Sequence, residues 1–212
     1  MEWQHEMIKI YLIEVMRQRD FARHSLDRYI SARDNFKADA FTYGDIVEMY
    51  AAAQALLTSA AQISKLLWVV MPKRKPSGSG LSDEQYAAKR SFTLARAKAV
   101  RKVLNVSDDS ILKNRQVRNA VEHFDERIDS HILDGAVQLV DSNVCSVHEL
   151  GGIDPINMLR HIDPYTNRVS VLDDGTSLTE LWSAIQSIGS AAATHHDNLR
   201  TTNARTSTLK TT

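Results

Sequence analysis

Apolar residues recur at three- and four-residue steps through the first half of the chain, with polar residues between them. From Trp3 to about Arg33, positions Met7, Ile10, Tyr11, Ile13, Glu14 and Arg17 follow this rhythm, and the apolar ones form a stripe. That is the signature of an amphipathic helix. The loop "DNFKADAFT" follows, and Thr42 is placed to cap a second helix reaching about Val70. This segment is rich in Ala, the strongest helix former, and its small side chains allow a neighbouring helix close approach. In "MPKRKPSGSGLSDEQ", Pro72 and Pro76 stop the helix and Ser-Gly-Ser-Gly makes a flexible loop. Ser82 with Gln85 fits a capping box and opens a third helix to about Leu104, rich in Lys and Arg. The turn "NVSDDS" offers side chains that accept from free backbone N–H groups, and a fourth helix is expected from Ser110 to Asp129. Four helices joined by short loops are the pattern of a helical bundle.

Beyond Ser130 the pattern changes. "HILDGAVQLVD" and "RVSVLDDG" cluster or alternate β-branched residues and carry Gly turn signals, while "GGIDPINM" and "DPYTNR" read as turns. Two or three strands and a small sheet are expected. A last helix from Ser177 to about His195 has Leu178, Leu181, Trp182, Ile185 and Ile188 as its apolar face. The polar ending "TTNARTSTLKTT" reads as disordered. The expected fold is mainly α: a helical bundle over 1–130, a small α/β extension over 131–198, and a disordered tail over 199–212.

Composition narrows the functional classes. Lys plus Arg and Asp plus Glu each number 26, so the net charge is zero. A non-specific nucleic-acid coat would carry a basic excess, although a local basic patch remains compatible. The single cysteine, Cys145, excludes an intrachain disulfide and a thiolate zinc site. The first twenty residues lack the basic start and unbroken apolar stretch of a secretion signal. Gln54, Gln62 and Lys65 interrupt the longest apolar stretch, so it reads as a buried helix and not a membrane span. The expected setting is a reducing cytoplasm.

The chemistry concentrates in "KNRQVRNAVEHFDERID", Lys113 to Asp129. On a helical wheel Val117, Val121, Phe124 and Ile128 share one narrow face, which is expected to be the core face. His123 lies off that stripe, with Asn119 one turn before it on the same side. Arg118 sits roughly 140° from His123 around the axis, but its long stem can bend toward a shared pocket.

Arg118-Asn119-Ala120-Val121-Glu122-His123 resembles the signature of HEPN-domain ribonucleases: an Arg, a polar residue after it, and a His after four to six intervening positions. The resemblance covers about residues 1–130. It implies a HEPN-like helical bundle carrying the motif on a late helix. It also implies a homodimer in which the motif helices meet, and a metal-independent endoribonuclease whose products carry a 2′,3′-cyclic phosphate and a 5′-hydroxyl. His123 would be the general acid/base, Arg118 would hold the scissile phosphate, and Asn119 would support them. Arg115 and Glu122 join them as candidate substrate contacts. RNA is the implied substrate, a toxin or defence role and an antitoxin or other protein partner are compatible, and no cofactor or metal is called for.

The chemistry is sound on its own terms. A free imidazole titrates near about pH 6.5, so it exchanges protons with ribose and leaving oxygens at neutral pH. Guanidinium forks match phosphate oxygens. The sequence also departs from part of the family. Asp125 stands where a subset of HEPN toxins has a Tyr that a partner nucleotidyltransferase modifies, and Glu122 and Asp125 put negative charge beside the phosphate site.

The alternative is a HEPN-like module that binds nucleotides, RNA or protein without cleaving. In that case the motif is a solvated helix face in which Arg118 pairs with Glu122. Lys73-Arg74-Lys75 reads as a solvated loop. The basic third helix, with Lys89, Arg90, Arg96, Lys98, Arg101 and Lys102, is the better candidate nucleic-acid surface. His195-His196-Asp197 has metal-ligand residue types but no second ligand cluster beside it.

Overall fold

The computed structural model describes residues 5–115, 119, 122–135, 139–149, 151–172 and 174–208. Five α-helices run through them: α1 (His5–Lys37), α2 (Tyr43–Leu67), α3 (Asp83–Leu104), α4 (Phe124–Leu133) and α5 (Leu178–Thr208). Four short strands lie between α4 and α5: β1 (Asn143–Val144), β2 (His161–Asp163), β3 (Arg168–Val171) and β4 (Asp174–Ser177). They form one sheet in sequence order, with β1 parallel to β2 and the later pairs antiparallel. The molecule is mainly helical with a small sheet toward its C-terminal end.

The helix starts follow local chemistry. Thr42 accepts from the Asp45 N–H while the Asp45 carboxylate accepts from the Thr42 N–H, a reciprocal box at the start of α2. Ser82 and Gln85 do the same for α3. Asn105 ends α3 in the left-handed conformation with φ 50°. Asn tolerates that region better than most residues, because its short polar side chain bonds locally.

The apolar stripe of α1 differs from the expected one. Ile8, Leu12, Val15, Ala22, Tyr29 and Ala32 are buried, whereas Ile10 and Ile13 are exposed. Two interleaved sets of apolar residues satisfy helical spacing at the start of α1. Only the first continues through the whole helix as one face.

The core is shared from end to end. Residues of α1, α2, α3, β2, β3 and α5 belong to a single buried cluster, in which Ile162, Val169, Leu178, Leu181 and Ile185 pack with Leu12, Leu56 and Ile63. α5 therefore lies within the bundle, and its apolar face of Leu178, Leu181, Ile185 and Ile188 is as read from the sequence. The core does not divide at residue 130. The helix also runs on to Thr208, so residues 199–208 of the expected disordered tail are helical, and 209–212 fall outside the described residues. Of the segments expected as strands, 131–133 end α4, Asp134 and Gly135 turn, Val140 forms an isolated bridge, and 136–138 fall outside the described residues.

The sheet is tied to the bundle by Tyr50 of α2. Its hydroxyl donates to the Asn143 carbonyl at 2.8 Å and reaches the Arg160 carbonyl at 3.2 Å. Between β2 and β3, the Asp163 carboxylate accepts from the Tyr165 and Thr166 N–H groups and closes the "DPYTNR" turn. Among the described residues no helix is long and apolar enough to cross a membrane.

Candidate functional site

The motif segment is not one helix. Ser110 caps a single 3-10 turn, Ile111–Lys113, that buries Leu112 in the core. Asn114 is then extended (φ −75°, ψ 122°), so no helix runs onward from Ser110. Helical bonding resumes with Asn119 N–H donating to the Arg115 carbonyl at 2.8 Å and His123 N–H to the Asn119 carbonyl at 2.9 Å. It breaks at His123 (φ −110°, ψ 40°), which serves as N-cap of α4 without a side-chain capping bond. Asp125 and Glu126 lie in the first turn of α4. Negative charge there complements the helix dipole, and this is the local signal for a fresh start after His123.

Arg118 lies outside the described residues, as do Val117, Ala120 and Val121. Phe124 and Ile128, expected on a core face, are half-buried, and α4 buries no side chain fully. Asn119 and Glu122 are exposed, one turn and one residue before His123, and each has a polar partner. The His123 side chain is 59% exposed, with Nδ1 3.5 Å from Glu126 Oε2 on a side chain 75% exposed. An exposed pair at that separation contributes little to stability. Its Nε2 makes no hydrogen bond among the described residues. Asn119, Glu122 and His123 thus come to one solvent-facing junction, where the imidazole can meet a ligand.

Arg115 and Arg127 turn elsewhere. Arg127 pairs with Asp174 at 2.6 Å and pins α4 to β4. Arg115 Nη2 donates to the Trp68 carbonyl at 2.6 Å. Trp68 is the C-cap of α2, and Arg115 has company there. Arg96 donates to the Leu66 carbonyl and Arg101 to the Leu67 carbonyl. Three guanidinium groups therefore gather on the last carbonyls of α2, which lack helical partners and carry the negative end of the helix dipole. Arg96 is only 8% exposed and lies 4.9 Å over the Tyr11 ring; burial lowers its pKa from the usual arginine value. Asp108 accepts from the Trp68 indole N–H at 2.8 Å. That bond, with Lys113 and Arg101 nearby, holds its carboxyl below the usual range. Two of the arginines read as a basic helix surface, and one read as a substrate contact, form this collar. Sequence spacing carries no signal for it, because the acceptors are main-chain carbonyls 30 to 47 positions away.

A cavity of about 140 Å³ opens beside the motif, walled by Tyr50, Leu57, Phe124, Arg160 and Val169. Arg160 lies 4.6 Å over the Phe124 ring and is clamped to Asp141, whose carboxyl it holds below the usual range. That cation is neutralised before any ligand arrives.

The other candidates are quiet. His196 pairs with Asp197 at 3.5 Å, and among the described residues no cluster of three or more His, Cys, Asp or Glu is arranged to hold a metal. Cys145 is half-buried, and burial, then Glu149 and Asp163, push its thiol pKa up, away from the nucleophilic thiolate. Comparisons with protein-family models, with curated proteins and with solved structures found no match to the chain.

Proposed function

We propose that the chain is a metal-independent endoribonuclease of HEPN type. The observation that carries this reading is His123. Its imidazole stands in solvent at a helix junction, with Asn119 one turn before it and Arg118 within the same short segment. An exposed imidazole off the core is free to exchange protons, which general acid/base chemistry requires. In the proposed reaction His123 takes the proton from a ribose 2′-OH. The 2′-oxygen bonds to phosphorus, and the bond from phosphorus to the 5′-oxygen breaks. The second His123 of a homodimer returns a proton to that leaving oxygen. Arg118 neutralises charge building on the phosphoryl oxygens, and Asn119 orients the imidazole or a phosphate oxygen. Arg115 is left out of this scheme, because its guanidinium is committed to the end of α2.

The test is cleavage of a mixed RNA pool by the wild-type chain, Arg118→Ala and His123→Ala. Loss of one general acid/base lowers the rate by about 10²–10⁴-fold. Full activity in His123→Ala overturns the assignment.

A second reading rests on the Glu126 carboxylate beside His123. Such a pair is also what an ordinary solvated helix face contains, and it suits a HEPN-like module that binds RNA, nucleotides or a protein without cutting. Tight RNA binding with no cleavage in any of the three chains favours this module.

A further inference from the structure

The loop between α2 and α3 folds back against the outer face of α3 and encloses an open groove of about 630 Å³. Lys73, Arg74, Lys75 and Arg90 line it against one carboxylate, Asp83. In a chain of zero net charge this is a concentrated positive field. Lys75 is already used: it pairs with Asp83 at 3.0 Å and donates to the Leu81 carbonyl. Lys73, Arg74 and Arg90 have no ion-pair partner among the described residues. Arg90 is half-buried on α3, and its Nε is shielded from solvent with no hydrogen-bond partner among the described residues. A shielded, unpartnered guanidinium nitrogen is costly unless an acceptor arrives. Ser91 adds a hydroxyl at the same wall.

We propose that this groove binds the phosphodiester backbone of single-stranded RNA, with Lys73, Arg74 and Arg90 on successive phosphates. The choice of RNA rests on the reading above; the anion-binding site rests on the groove alone. Tyr86 keeps its ring buried and donates its hydroxyl to the Pro72 carbonyl, so it offers no face for stacking a base. Recognition is through phosphates and is blind to sequence. The groove takes the triplet and Arg90, while Arg96 and Arg101 serve the end of α2.

The experiment is fluorescence anisotropy of a labelled 2′-O-methyl 12-mer, which resists 2′-OH chemistry, with the full chain across a salt series. Three phosphate contacts on a single strand predict a log–log salt slope of about −2, and so about 20-fold weaker binding when salt rises fourfold. The exposed double variant Lys73→Gln/Arg74→Gln should fold normally and make the slope shallower by about 1.4, and adding Arg90→Gln should remove the further share of about 0.7 that the groove supplies, leaving only the share of the motif. The proposal is overturned by wild-type binding in the charge variants, by absence of salt-dependent binding in the wild type, or by equal competition from polyglutamate or inorganic triphosphate. Failure to cleave ordinary RNA bears on the ribonuclease reading and leaves this groove standing.

Discussion

Replacing Arg115 by Ala separates structural from substrate-binding roles for that residue. The guanidinium donates to the Trp68 carbonyl at 2.6 Å, at the end of a 25-residue helix. A hydrogen bond from a charged group contributes about 1.5–3 kcal/mol, and a cation at a helix C-terminus about 0.3–1 kcal/mol of overlapping benefit. Arg96 and Arg101 occupy the same helix end, so removing Arg115 also relieves repulsion and trims the loss. About 2 kcal/mol is the expected cost. For a chain of this size that lowers Tm by about 4–8 °C. Thermal unfolding followed by circular dichroism reads this directly. Arg96→Met should cost more, about 3–4 kcal/mol, because it also removes the contact over the Tyr11 ring. The double variant should lose less than the sum of the two, since both side chains serve one helix end. At a temperature where Arg115→Ala is folded, its RNA cleavage should match the wild type. An unchanged Tm with cleavage reduced about 100-fold or more, the weight of a group acting in the transition state, would refute the collar and return Arg115 to the substrate site.

Three further outcomes follow from the same structure. Gly189→Ala gains about 1 kcal/mol of helix propensity, yet its new Cβ would stand 2.8 Å from both Cβ and Cγ of Arg19 in α1, so urea titration should show net destabilisation that Arg19→Ala lessens by removing Cγ and Cδ but does not abolish, since its own Cβ remains. Burial pushes the Tyr29 hydroxyl up to about 12, and the oxygen has no hydrogen-bond partner among the described residues. Since that folded pKa lies above the unfolded value of about 10, stability should fall as pH rises between the two, and Tyr29→Phe should flatten that fall and add about 1 kcal/mol at neutral pH. Asp108 and Asp141 have carboxyls held below their usual range, so the stability they confer is present above the unfolded pKa of about 3.9 and lost as pH falls through the lower folded values; Asp141→Asn should show a shallower acid limb on denaturation.

Much of the helical scaffold is legible in the sequence where the determinants are local. Thr42 as a cap and Ser82 with Gln85 as a capping box mark helix starts, and both are present in the structure, where Asp45 completes a box with Thr42 as well. The apolar face of α5 is likewise readable from Leu178 through Ile188. Other features depend on partners that spacing does not reveal. Periodicity alone cannot choose between Ile8-Leu12-Val15 and Met7-Ile10-Ile13, because both obey helical steps; packing of the whole of α1 decides. The carbonyls of Leu66, Leu67 and Trp68 are invisible in a string of side chains, so Arg96, Arg101 and Arg115 look like solvent-facing charges. The break at His123 was hinted by Asp125 and Glu126, an acidic pair that suits a helix beginning more than a helix interior. Asn119, Glu122 and His123 are exposed in the structure. Arg118, the other half of the motif, lies outside the described residues.

The most direct test of the ribonuclease proposal is the chemistry of the product ends when the wild-type chain cuts RNA in the presence of EDTA. The account predicts cleavage undiminished by the chelator, with 2′,3′-cyclic phosphate and 5′-hydroxyl ends that disappear in both Arg118→Ala and His123→Ala. Products bearing 5′-phosphate ends, or cyclic-phosphate products that persist in His123→Ala, would contradict it.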